Sequence, residues 1–161
     1  MMAKKLSGPL THNFKENEII CVAGENNHDL FIIHSGRLLV FVTDGTIVTP
    51  LAYLKAGEYL GELSFFDGMP RSAHVIALEE SDLIRIPVSE IEKQFPPWLQ
   101  AMAQSITKKL RYSTELVRRK GIRKKNVESI KPLSIERQRE IHKSLMDYLE
   151  EYPSIKEQAK I

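Results

Sequence analysis

Between residues 19 and 87 the chain is written as short apolar runs cut by turn residues, a pattern that leaves no room there for long helices. IICV (19–22) is followed by AGENNHD, LFIIH (30–34) by Ser35-Gly36, RLLVFVT (37–43) by Asp44-Gly45, and TIVTPLAYL (46–54) by Lys55-Ala56-Gly57. These runs are rich in β-branched and aromatic residues, which fit a pleated, half-buried surface. Asp44-Gly45 is a hairpin signal, because both central positions of such a two-residue turn need positive φ. A last pair of runs, SAHVIAL (72–78) and DLIRIP (82–87), is joined by Glu79-Glu80-Ser81. With no βαβ alternation, the stretch predicts a small antiparallel β-roll of jelly-roll type.

The period changes after Pro87. Val88 to Phe95 reads as a short helix, interrupted by Pro96-Pro97, since proline lacks a donor and restricts the residue before it. A new helix begins near Trp98. Leu99, Ala103, Ile106, Leu110, Ser113 and Val117 recur at alternating spacings of four and three, as in a coiled-coil seam, so helix 98–120 is expected to find a partner and form a homodimer. The basic turn Arg118-Arg119-Lys120 and Gly121 mark its end. Ser134 then offers an N-cap to a helix whose Ile141, Leu145, Leu149 and Tyr152 form one stripe before Pro153 stops it. The expected organisation is α+β: a β-roll with short flanking helices over 1–97, a dimerisation helix over 98–121 and a helical extension over 122–161.

Several function classes are excluded or disfavoured by composition. At 161 residues, 42% of them hydrophobic, the chain supports one sizeable core and an appendage. A net charge of +2 does not suit a general nucleic-acid binder. Cys21 is the single cysteine and lies in an apolar run, so it reads as a buried thiol and rules out an internal disulfide or a cysteine-based zinc site. His12, His28, His34, His74 and His142 show no metal-ligand spacing, and no phosphate-binding Walker loop or nucleophile elbow is present, so no metal and no catalytic residues are expected. MMAKKLSGPL lacks the apolar core of a leader and no run is long enough to cross a bilayer, which predicts a soluble, cytoplasmic chain.

The stretch GELSFFDGMPRSAHV (61–75) departs from the strand pattern. Gly57 and Gly61 let the backbone approach a ligand closely. Glu62 opens a short turn through Leu63 and Ser64, and the chain returns through Asp67-Gly68-Met69-Pro70 to Arg71-Ser72-Ala73. Arg71 suits a phosphate, Ser72 and the Ser72 and Ala73 amides add donors, and Glu62 can accept from a sugar hydroxyl. From these residues alone, a structural Glu62–Arg71 ion pair with glycines that merely turn the chain stands equally open.

Order and context resemble the phosphate-binding cassette of the cyclic nucleotide-binding domain family, roughly Gly-Glu-Leu, an apolar turn, then Pro-Arg-Ser/Thr/Ala-Ala. It stands here complete as Gly61-Glu62-Leu63 and Pro70-Arg71-Ser72-Ala73. Phe14, Glu18-Ile19, Ala23-Gly24-Glu25, Asp29 to Ile33, Ser35-Gly36 and Gly57-Glu58 are similar to the family's opening run, so the resemblance covers about residues 14–118. It implies that Arg71 binds the cyclic phosphate and Glu62 the ribose 2′-hydroxyl, with Gly61, Leu63, Ser64, Ser72 and Ala73 completing the cradle. Residues 108–117 resemble the dimerisation helix of the bacterial catabolite activator branch, placing Ser113 and Thr114 where that branch has a Thr-Ser pair. The implied ligand is 3′,5′-cyclic AMP, with cyclic GMP possible, one hydroxyl meeting the purine of its own subunit and the other that of the partner. Intrahelical bonding of Ser113 to a carbonyl one turn back is the alternative.

The expectation is a non-enzymatic cyclic nucleotide receptor that signals through its dimer helix and through a protein partner of residues 122–161. A catabolite-activator-like DNA-binding regulator is the alternative. It lacks a visible helix-turn-helix after Gly121, so DNA is not the expected partner. A scaffold with an empty cassette is a third reading.

Overall fold

The computed structural model describes residues 10–90, 93, 95–120 and 132–161, with the side chains of Thr114 and of residues 116–120 outside the described set. Among the described residues, eight strands form two four-stranded antiparallel sheets. β1 (Thr11–Phe14), β8 (Ser81–Ile86), β3 (Leu30–Ser35) and β6 (Tyr59–Leu60) make one in the order β1-β8-β3-β6. β2 (Ile19–Cys21), β7 (His74–Ala77), β4 (Arg37–Asp44) and β5 (Ile47–Lys55) make the other in the order β2-β7-β4-β5. The expected hairpin forms one residue later than the sequence reading placed it: Asp44 is the last residue of β4 and pairs with Ile47, so Gly45 and Thr46 hold the turn with only Gly45 at positive φ (+57), and the register runs back to Arg37 opposite Lys55.

Two cores, on opposite faces of the second sheet, explain its composition. Phe31, Ile33, Leu38, Leu60, Val75 and Leu83 fill the space between the sheets. Ile19, Leu39, Phe41, Val48 and Ile76 point the other way. Successive side chains of a strand face opposite sides, so β4 and β7, covered on both, are apolar at nearly every position instead of alternating.

The cover is the C-terminal extension. Helix α3 (Ile135–Glu151) starts at Ser134, whose hydroxyl accepts the Arg137 amide at 3.2 Å as expected of an N-cap. Its Ile141, Leu145, Tyr148 and Leu149 lie in the outer core, joined by Ile155 from a further short helix, α4 (Pro153–Lys156), that the sequence did not suggest. Of the expected stripe, Tyr152 is only partly buried. The apolar stripe read in the extension is therefore buried against the chain's own roll.

Of the short helix expected over Val88 to Phe95, Val88–Glu90 forms a 3₁₀ turn and Lys93 is helical, while residues 91, 92 and 94, like the expected end of the long helix at Gly121, lie outside the described residues. One other expectation is corrected. Helix α2 (Pro97–Lys120) does not present one continuous seam. Leu99 and Ala103 are half-buried, and the face carrying buried Thr107 and Arg111 is turned toward helix α1 (Glu62–Asp67). The exposed apolar stripe is Trp98, Met102, Ile106 and Leu110, at a strict spacing of four. A helix advances 3.6 residues per turn, so a three-four pattern read as one seam divides between two faces once one of them meets the rest of the chain. The side chain of Val117 lies outside the described set.

Candidate functional site

Gly61, at φ +90, ends β6 and caps α1, and a Cβ there would overlap Nη1 of Arg71 and the Asp29 carbonyl oxygen. That close approach is the local reason for glycine. Arg71 is 3% exposed. Its guanidinium donates to the Gly61 carbonyl from Nη1 at 3.3 Å, and from Nη2 to the Asp29 carbonyl at 2.6 Å and Asn27 Oδ1 at 3.2 Å. None of these acceptors is a carboxylate, and the buried Nε has no acceptor among the described residues. The structural Glu62–Arg71 ion pair is not formed. Glu62 opens α1 with its side chain exposed, so acid and base frame one cavity without neutralising each other.

The cavity measures about 230 Å³ and is lined at one end by Gly61, Glu62, Leu63, Ser64, Arg71, Ser72 and Ala73, every cassette residue expected to touch the ligand. Its other walls include the apolar Val40, Leu51, Ala52, Leu54 and Leu110, the last contributed by α2. The Ser72 and Ala73 amides meet no acceptor among the described residues. A buried guanidinium with an N–H that has no acceptor among the described residues, beside two such amides, is suited to hold an anion, since a buried charge is stabilised by one of opposite sign. A phosphate has the required oxygens.

Cys21 also lines the cavity, and burial pushes its thiol up to about 12, with the Arg71 charge acting the other way. It is inert at neutral pH, in keeping with a structural role.

Ser113 does not line the cavity; its hydroxyl donates to the Lys109 carbonyl at 3.2 Å, the intrahelical alternative. The side chain of Thr114 lies outside the described set. Four residues missed in the sequence support the site. Asn27 and Asp29 hold the Arg71 fork, Asp29 being fixed in turn by Arg85 Nη1 (3.2 Å) and the Val88 amide (3.0 Å) on its carboxylate. Arg111, from α2, donates to Asp67 and to the Met69 (3.2 Å) and Pro70 (2.7 Å) carbonyls, pinning the turn that leads into Arg71. Asn27 and Asp29 carry only a turn signal in sequence, and the Arg111 contact spans more than forty positions.

The family profile described as the cyclic nucleotide-binding domain matches residues 11–95. Over 96 residues the chain is 31% identical to the cyclic nucleotide-gated channel alpha-4 of Mus musculus, covering 56% of this chain and 16% of the channel. With the channel alpha-2 of Homo sapiens the identity is 36% over 76 residues, 44% of this chain and 11% of that one. The chain thus spans less than a fifth of the length of these relatives. Among solved structures, the cyclic AMP-bound form of the EAL enzyme Bd1971 superposes with a TM-score of 0.61 at 28% identity, over 65% of this chain and 29% of that one. Its cyclic GMP-bound form gives 0.59 at 28% identity, over the same shares. With the profile match spanning more than half of the sequence and the complete cassette around one cavity, the chain belongs to the cyclic nucleotide-binding domain family.

Proposed function

We propose that this protein is a non-enzymatic receptor for a 3′,5′-cyclic nucleotide, with cyclic AMP its preferred ligand. The observation that carries the reading is Arg71: a buried cation at the cavity wall whose hydrogen-bond acceptors among the described residues are all neutral, with none on Nε. The cyclic phosphate completes that set together with the Ser72 and Ala73 amides, and Glu62 accepts from the ribose 2′-hydroxyl. The purine lies toward Val40, Leu51, Ala52, Leu54 and Leu110. Guanine brings more polar groups than adenine into that apolar end, and each unpaired polar group costs affinity, which supports cyclic AMP over cyclic GMP.

Output runs through α2. Its exposed Trp98, Met102, Ile106 and Leu110 support a homodimer like that of the catabolite activator branch, in which Ser113 gives up its Lys109 acceptor and, with Thr114, meets the purine. Any protein partner of the extension meets the outer, charged face of α3. DNA contact is left out of the proposal because the apolar face of α3 is committed to the roll. Titration calorimetry with cyclic AMP and cyclic GMP tests the proposal: tighter binding of cyclic AMP, lost in Arg71→Ala, is expected, and absence of binding to either nucleotide refutes it.

A further inference from the structure

The end of the chain closes on the loop that holds the arginine. Residues 22–29, between β2 and β3, are bonded to Arg71 in both directions: the Gly24 amide donates to the Arg71 carbonyl at 2.8 Å and the Arg71 amide donates to the Glu25 carbonyl at 2.9 Å. The same loop supplies Asn27 and Asp29 to the guanidinium. It has no regular strand pairing of its own, so its conformation is set by whatever bonds it.

Beyond α4 the chain runs back across this loop. The Lys160 amide donates to the Ala23 carbonyl at 3.0 Å, and the Asn26 amide donates to Gln158 Oε1 at 2.9 Å. Gly24, at φ +90, lies so close under the Gln158 carbonyl that a Cβ would overlap it. The Ala23 amide donates to Nδ1 of buried His74 at 3.1 Å, and His74 directly follows the cassette's Ala73. Ile155, fully buried, anchors the start of the returning segment.

We propose that residues 157–160 form a strap that positions Arg71 for its anion, so that docking of the C-terminal end and filling of the cavity favour each other. This rests on the receptor reading above. Two acceptors of the Arg71 fork sit on a loop that the strap also bonds, at Ala23 and Asn26; releasing the strap lets that loop, and with it the fork, leave the geometry an anion requires. Coupling of this kind is reciprocal: if the strap strengthens binding, the nucleotide strengthens strap docking by the same factor.

The experiment uses the full chain carrying Gln158→Ala with Lys160→Pro, which removes one acceptor and one amide donor. Calorimetry with cyclic AMP is expected to show affinity about five- to thirtyfold weaker, the loss of one to two ordinary hydrogen bonds. The conservative pair Gln158→Glu with Lys160→Ala keeps acceptor and amide and is expected to recover it. In the unmutated chain, saturating cyclic AMP should slow amide exchange at Asn26 and Lys160. If the unmutated chain binds and the double variant binds as tightly, the strap is overturned while the receptor reading stands. If the unmutated chain does not bind, the receptor reading falls. The strap is then decided by exchange at the Gly24 and Arg71 amides: faster in the double variant supports it, and equal rates overturn it. Should the double variant lose its far-ultraviolet dichroism, Gln158→Ala alone, which leaves the backbone intact, carries the same comparisons.

Discussion

Arg111 on α2 grips Asp67 at the end of α1 with both arms of its guanidinium, Nη2 to Oδ1 at 2.9 Å and Nε to Oδ2 at 2.5 Å, while Nη1 takes the Pro70 carbonyl at 2.7 Å. One side chain thus fixes the long helix to the turn that delivers Arg71. A bidentate pair of this kind specifies geometry as well as energy, so movement of α2 and the shape of the cassette are mechanically joined.

Arg111→Ala should destabilise the protein by about 1–3 kcal/mol, because it leaves a largely buried carboxylate and two carbonyls without their donor. Burial by itself would raise the Asp67 pKa; the Arg111 hydrogen bonds, the Met69 amide and the Arg111 charge outweigh it and hold the carboxyl below its ordinary 3.8. The folded state therefore binds this proton less readily than the unfolded state, and the stabilisation is present above 3.8 and lost as pH falls through the lower folded value. Urea denaturation at several acidic pH values should show a shallower acid slope in Arg111→Met than in the parent.

A second pH effect belongs to His74. Burial lowers its pKa from 6.5 to about 4, against a hydrogen bond to the Lys160 backbone that raises it. Between those values the unfolded chain takes up a proton that the folded chain refuses, so stability is complete above 6.5 and declines as pH falls toward 4, by roughly 2–3 kcal/mol. Denaturation midpoints measured at neutral and mildly acidic pH should diverge in the parent and converge in His74→Gln.

Arg71→Ala should weaken cyclic nucleotide binding by roughly 2–5 kcal/mol, since it leaves a desolvated phosphate unpaired. Glu62→Gln retains an acceptor and should cost less. Gly61→Ala should be severe despite its small size, because the new Cβ meets the arginine itself in a left-handed backbone. Calorimetry across the three variants ranks them, and near-normal affinity in Arg71→Ala removes the assigned site.

Met102→Glu with Ile106→Glu should yield monomers if α2 pairs through its exposed stripe. Charges on a desolvated apolar seam have no partner to offset them. Sedimentation of the parent as a monomer at high concentration would refute the pairing.

Leu145→Ala should cost about 2–5 kcal/mol, as removal of a fully buried leucine leaves a cavity against the outer face of β4 and β7. A loss below about 0.5 kcal/mol, the range of surface changes, would mean that α3 does not seal that face.

Local chemistry by itself determined a good deal of this protein. Turn residues and apolar runs mark β2, β3, β4, β5, β7 and β8, because strand periodicity and turn geometry are written in neighbouring positions. The cassette is legible for the same reason: Gly61, Glu62, Arg71, Ser72 and Ala73 fall within one short stretch of sequence, and the fold brings them around one cavity. What tertiary structure alone decided lies between distant positions. The continuous apolar runs in β4 and β7 signalled a strand without revealing that one face awaits α3. The stripe on α2 gave a helix without saying which residues turn inward, since that follows from Arg111 reaching Asp67. Asn27 and Asp29 on the guanidinium, and Gln158 and Lys160 against Ala23 and Asn26, join segments as much as 137 positions apart. No local propensity encodes such bonds; they form only when buried polar groups, brought together by the closing of two apolar cores, must satisfy one another.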